Sequence, residues 1–200
     1  MAGARYSSLN PHAPEYIPIT PLPLPLPTID PPPPQNVHPI LKGHETTVKL
    51  ENIPLHYNRK KLMDFLDDYC LLENQKARDS NKENPHVFAF DFVYLPMNFK
   101  WTGIEGYGFV NFTDHKTLLK FFRDFSERAK TYPDSEISVQ MSIAEMQGKN
   151  ALMERFKSER FLFESDEFHP VSFNPARNGS RASVKVNSVG IFQLRINPTD

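Results

Sequence analysis

"GIEGYGFVNF", Gly103 to Phe112, sets an aromatic residue at alternate positions of an apolar run and threads glycines between them. A period of two is the signature of a β-strand, so Tyr107, Phe109 and Asn111 point to one face and Gly106, Gly108, Val110 and Phe112 to the other. Glycine inside a strand costs entropy and packing. It marks an edge, a bulge, or a place where another backbone or a ligand comes close.

The flanking segments extend the pattern. "TTVKLENIP", Thr46 to Pro54, alternates Val48 and Leu50 against Lys49 and Glu51 and stops at Asn52 and Pro54, as a strand does at a turn. In "NRKKLMDFLDDYCLL", Leu62, Met63, Leu66, Tyr69 and Cys70 recur at helical spacing behind Asn58 as N-cap. Glu73 to His86 is polar throughout and reads as a long loop. "VFAFDFVYLP", Val87 to Pro96, is a second strand, and a turn containing Phe99, Lys100 and Trp101 leads into the glycine-rich strand as the third. "TDHKTLLKFFRDF" offers a cap at Thr113 or Asp114 and a stripe of Leu118, Phe122 and Phe125. A fourth strand follows, with Ile137, Val139, Met141 and Ile143 on one face. The order β-α-β-β-α-β is the ferredoxin-like, split βαβ arrangement of the α+β class: a four-stranded antiparallel sheet with two helices on one face and the other face open. The open face collects Lys49, Glu51, Glu105, Tyr107, Phe109 and Asn111.

Beyond the fourth strand, "QGKNALMERFKSERF" repeats Ala151, Leu152, Phe156 and Phe161 at helical spacing, which predicts an extra helix. Such a helix either covers the open sheet as a lid or packs beside it, extending the surface with Lys149 and Arg155. A ring pair kept free favours the edge.

Twelve of the 19 prolines fall in the first 42 residues, including "PLPLPLPTIDPPPP", Pro21 to Pro34. Proline removes backbone donors and fixes φ, so no core forms there, and a disordered, polyproline-like leader over residues 1–43 is expected. It is a linker or the ligand of a proline-binding protein partner. Residues 44–173 then form the domain, and 174–200 are expected to be a disordered tail, with the partial alternation of Ser183 to Ile196 as the one candidate for a further strand.

Composition narrows the function. Cys70 is the only cysteine and sits in a helical apolar pattern, so it reads as a core thiol. The seven histidines have no metal-ligand spacing; no metal and no cofactor is expected. No secretory signal and no membrane-length apolar run occurs, which points to an intracellular protein, nuclear or cytoplasmic, with no membrane partner; no oligomer is implied. No nucleophile, base or phosphate loop stands in a catalytic context, so no enzyme is expected. A net charge of −1 excludes the long-range field of a basic phosphate binder.

"EGYGFVNF", Glu105 to Phe112, resembles the third-strand octamer of the RNA recognition motif, K/R-G-F/Y-G/A-F-V-x-F/Y, at seven of eight positions. The resemblance implies that Gly106 and Gly108 face the helices closely while the opposite rings stack unpaired bases. It departs at two places: Glu105 replaces a basic residue, and in "VKLENI" Lys49 stands where an aromatic platform residue is usual. Lys49 then meets a phosphate or a base edge, or the face binds protein instead.

The segments "TTVKLENIPLHYNRKKLMDFLD", "FDFVYLPMNFKWTGIEGYGFVNFT" and "IAEMQGKNALMERFKSERF" further resemble the C-terminal RNA recognition motif of the Mei-two-like proteins and their plant terminal-ear-like branch. That resemblance implies a short plant form carrying this motif alone. It also implies a partner, single-stranded RNA, in post-transcriptional control of meiosis or development. The RNA-binding residues it implies are Lys49, Glu105, Tyr107, Phe109, Asn111, Lys149 and Arg155. A protein-interaction module using the same sheet or the proline tract is the alternative.

Overall fold

The computed structural model describes residues 41–80, 82–98, 103–126, 130–161, 166–180 and 184–192; the proline-rich leader through residue 40 lies outside them. The elements are β1 (Thr47–Glu51), α1 (Arg59–Asp79), β2 (Phe90–Tyr94), β3 (Gly108–Phe112), α2 (His115–Ser126), β4 (Gln140–Ile143), α3 (Lys149–Phe156), β5 (Arg160–Phe161), a 3-10 turn (Asp166–Phe168), β6 (Val171–Arg177), β7 (Lys185–Ser188) and β8 (Ile191–Phe192). The β-α-β-β-α-β order is present, with α3 as the extra helix.

The register follows the alternation. Thr47, Val48, Lys49 and Leu50 pair with Asn111, Val110, Phe109 and Gly108, while Val48 and Leu50 pair with Ile143 and Met141 on the other side. Val48, Leu50, Val110 and Phe112 therefore share one face. There they meet Leu62 and Leu66 of α1 and Leu118, Phe121 and Phe122 of α2 in a single buried cluster. The Asn58 side chain accepts from Lys61 N at 2.9 Å, and Asp114 accepts from Thr117 N at 3.0 Å, so both helix starts have their caps. Ile137 does not join the core stripe: it is exposed in a turn ahead of β4, held by the Tyr132 N–H donating to its carbonyl.

Three expectations are corrected. The loop from Glu73 is helix as far as Asp79, because its polar residues point inward and are paired. Asn74 donates to the carbonyls of Phe88 and Asn178 and accepts from Phe88 N, so it ties α1 to the chain before β2. Glu73 is buried between Lys76 and Lys120.

Next, the described residues of the expected tail, 174–180 and 184–192, include strands. β6 pairs antiparallel with β2, and β7 with β6, making a six-stranded sheet in the order β4-β1-β3-β2-β6-β7. Val171 and Phe173 are completely buried in the main cluster, so the domain continues past residue 173.

Finally, α3 does not sit at the sheet's edge, since β6 occupies the edge beside β2. The helix lies instead on the face opposite α1 and α2, where Phe92, Leu152 and Val189 form a second buried cluster with Tyr94, Met146, Met153 and Phe156 packed on it. Phe92 is a large apolar side chain on the nominally open face, and covering it is what fixes the helix there. α3 ends at Phe156; Phe161 belongs to β5, which pairs in parallel with β8.

Candidate nucleic-acid interface

β3 starts only at Gly108, and the two glycines serve different needs. Gly106 has φ of +79°, a conformation that residues with a Cβ rarely adopt. Its carbonyl accepts from Ile53 N at 2.8 Å, so the turn closes onto the end of β1. At Gly108 the limit is space: a Cβ would stand 3.0 Å from the Tyr94 carbonyl oxygen and 3.2 Å from Ile53 Cδ1. The close approach is thus to the neighbouring strand and the end of β1, not to the helices.

This turn delivers two rings to the other face. Tyr107 and Phe109 are half-buried, with centroids 5.9 Å apart and planes at 85°. Lys49, the cross-strand partner of Phe109, lays its Nζ 4.8 Å from the Tyr107 centroid and pairs with Glu51 at 3.2 Å. Ser142 Oγ donates to the same Glu51 oxygen, Oε1, at 3.4 Å. Glu105 is exposed beside them.

Between this platform and α3 runs a groove of about 630 Å³, walled by Lys49, Tyr107 and Phe109 on the sheet and by Leu152, Arg155 and Phe156 on the helix. Its floor continues through Ser142 and Ile143 of β4 and the turn Ala144 to Met146. The sheet is therefore half covered: α3 shields Phe92 and Tyr94, and the Tyr107–Phe109 side stays open to solvent. On the shielded side, burial pushes the Tyr94 phenol up to about 12, Tyr107 and Glu159 adding to the shift and Arg155 opposing it.

Two of the remaining sequence-derived candidates are held by contacts within the chain. Asn111 is on the same face but only 3% exposed, which corrects its expected availability. Its carbonyl oxygen accepts from the Thr46 and Thr47 hydroxyls, and its amide donates to Asp91 and to the Phe112 carbonyl, so every polar atom is engaged within the chain. Lys149 turns inward, donating to the Phe173 carbonyl at 2.7 Å and facing Asp91 at 3.8 Å. Burial raises the Asp91 carboxyl above its ordinary range, and the bonds from Asn111 and Lys149 only partly offset it. Arg155 stays at the groove, paired with Glu159 at 2.7 Å.

The post-β4 turn was not legible as part of a site, although "QG" signalled it. The Gln147 side chain accepts from Thr46 N and Thr47 N at 2.8 and 2.9 Å and donates to the carbonyls of Thr47 and Ala144. Gly148, at φ +87°, then donates to Thr47 Oγ1 and opens α3. These two residues aim the helix across the sheet. Among the described residues, no group of three or more His, Cys, Asp or Glu is placed to hold a metal ion, and no helix is long and apolar enough to cross a membrane.

A family model described as RNA recognition motif 2 matches residues 45–157. Protein terminal ear1 of Zea mays is 39% identical over 145 residues, covering 72% of this chain and 22% of the relative. The terminal ear1 homolog of Oryza sativa subsp. indica is 37% identical over 150 residues, again 22% of its length. Protein MEI2-like 7 of Oryza sativa subsp. japonica is 30% identical over 166 residues, 76% of this chain and 42% of the relative. The chain thus spans about a fifth of the length of the two terminal ear relatives.

Proposed function

Because this chain belongs to the RNA recognition motif 2 family, we propose that it is a single-stranded RNA-binding regulatory protein acting through the Tyr107–Phe109 side of its sheet. The observation that carries the reading is that both rings, half-exposed, line a groove that α3 walls but does not fill. Unpaired bases stack on exposed rings, each stack contributing about 1 to 3 kcal/mol with little sequence preference. Phe109 and Tyr107 supply the stacking surface, Arg155 and Lys49 line it, and Glu105 borders it. The protein acts inside the cell, in nucleus or cytoplasm, in post-transcriptional control. Assignment of that control to meiosis or development rests on resemblance to terminal-ear-like and Mei-two-like proteins.

The test is titration of the full chain with a pool of random single-stranded RNA, followed through Tyr107 fluorescence and the amides of Tyr107 and Phe109. Binding that moves these signals, and that Tyr107→Ala with Phe109→Ala abolishes while the melting curve is retained, is the expected result. A second reading, recognition of a protein, is favoured by one observation: Lys49 and Arg155 are both ion-paired within the chain, which leaves little cationic character at the groove. RNA that leaves both rings unmoved decides for the second reading.

A further inference from the structure

The residue pair beside the platform has a hydrogen-bonding order of its own. Lys49 Nζ, a donor, lies 3.2 Å from Glu51 Oε1. That oxygen already accepts from Lys49 and Ser142, whereas Glu51 Oε2 has no partner among the described residues. Both side chains are a little over one-third exposed. Lys49 is the direct cross-strand neighbour of Phe109, so β1 is within reach of the edge of a base stacked on the Phe109 ring.

The pair offers a donor, Lys49 Nζ, beside a carboxylate with one oxygen open, Glu51 Oε2. Guanine's Watson–Crick edge is the complement, with O6 accepting and N1–H and N2–H donating side by side, so that both donors converge on Oε2. Adenine sets its N6 donors against the ammonium and its bare N1 against the carboxylate. Cytosine is reversed in the same sense. Uracil matches at O4 and N3–H but places O2 against the carboxylate.

We propose, resting on the RNA-binding reading above, that the Lys49–Glu51 pair selects a guanine stacked on Phe109, with uracil next and adenine and cytosine disfavoured. Glu51 is then a specificity-determining residue.

The experiment measures anisotropy of labelled UUGUU, UUAUU, UUCUU and UUUUU pentamers with the full chain. Guanine is expected to bind more tightly than adenine by roughly five- to a hundredfold, the range for one good two-point edge contact. Glu51→Gln replaces one acceptor oxygen by a donor and should bring the ratio close to one, while Asp64→Asn, which removes the same charge from α1 on the other face of the sheet, should leave it intact. A thermal melt of each variant confirms folding. Four equal affinities, an order unchanged in Glu51→Gln, or an equal response to Asp64→Asn each overturn guanine selection while leaving RNA binding in place. Failure of every pentamer and of the random RNA pool overturns both readings.

Discussion

Gly108 and Glu45 show how much single positions carry. Alternation and the octamer made Tyr107 and Phe109 legible as ring-bearing positions, because a strand side chain's face depends only on its parity. What parity does not give is depth. Asn111 has the same parity as Phe109 but faces Asp91, Thr46 and Thr47 at close range and is buried. Gly108→Ala is expected to destabilise the domain by about 1 to 3 kcal/mol, since its Cβ would press on the Tyr94 carbonyl, a backbone atom that moves only with β2. Urea denaturation measures this, and an unchanged midpoint would show that the strands part easily there. Glu45 is the case for pH. Burial acts to raise its carboxyl, but the N–H groups of Lys42, Gly43, His44 and Glu45 itself outweigh it and hold the group down at about 2. A folded pKa below the unfolded value of 4.5 means stability that is fully present above 4.5 and lost as pH falls toward 2. Glu45→Gln should therefore lower the melting temperature at neutral pH, and the gap from the parent should close as pH drops through that window. A gap constant down to pH 2 would assign the loss to packing instead.

At the scale of elements, helices and strands with one apolar face were readable, and those held by polar contacts were not. The start of α1 shows an apolar stripe; its last two turns are fastened by Asn74 and Glu73, whose hydrogen-bond partners lie far along the chain. β6 was hidden for a related reason: "VSFNPAR" holds a proline and alternates weakly, and its strand character comes from pairing with β2. The stripe of α3 was visible, but not its seat, because that depended on β6 having already taken the edge. Leu152 is the residue of α3 that is buried on Phe92. Leu152→Ala is expected to cost about 2 to 5 kcal/mol, the range for removing a buried leucine side chain. Hydrogen exchange should then rise first in α3 and the turn before it. A variant as stable as the parent would mean that α3 rests on the sheet without being fastened to it.

For the whole domain, the residues matching the family model stop at 157, whereas the sheet continues to Ser188. A chain ended at Lys157 would keep β1 to β4, both packed helices and α3, which is a complete β-α-β-β-α-β unit with its extra helix. It would also uncover the edge of β2, the strand against which Val171 and Ser172 now pair. Phe90, which stacks edge-on against Phe173 at 5.6 Å, would lose that cover, and Phe92 would lose Val189. An apolar, unpaired strand edge is a template for pairing with another chain. Removal of Phe173 alone takes away a fully buried ring and is in the class that costs about 3 to 5 kcal/mol, a large share of what a domain of this size retains. The ion pair between Arg177 and Asp67 of α1 would go as well. The shortened chain should therefore melt well below the 200-residue one and elute from a sizing column as dimers or larger species at micromolar concentration, while a chain ended after Phe192 should match the 200-residue chain in both respects. Equal melting temperatures for the chains ended at 157 and 192 would show that β6 and β7 are an ornament on an independent four-stranded domain, and the boundary of the folding unit would return to the end of α3.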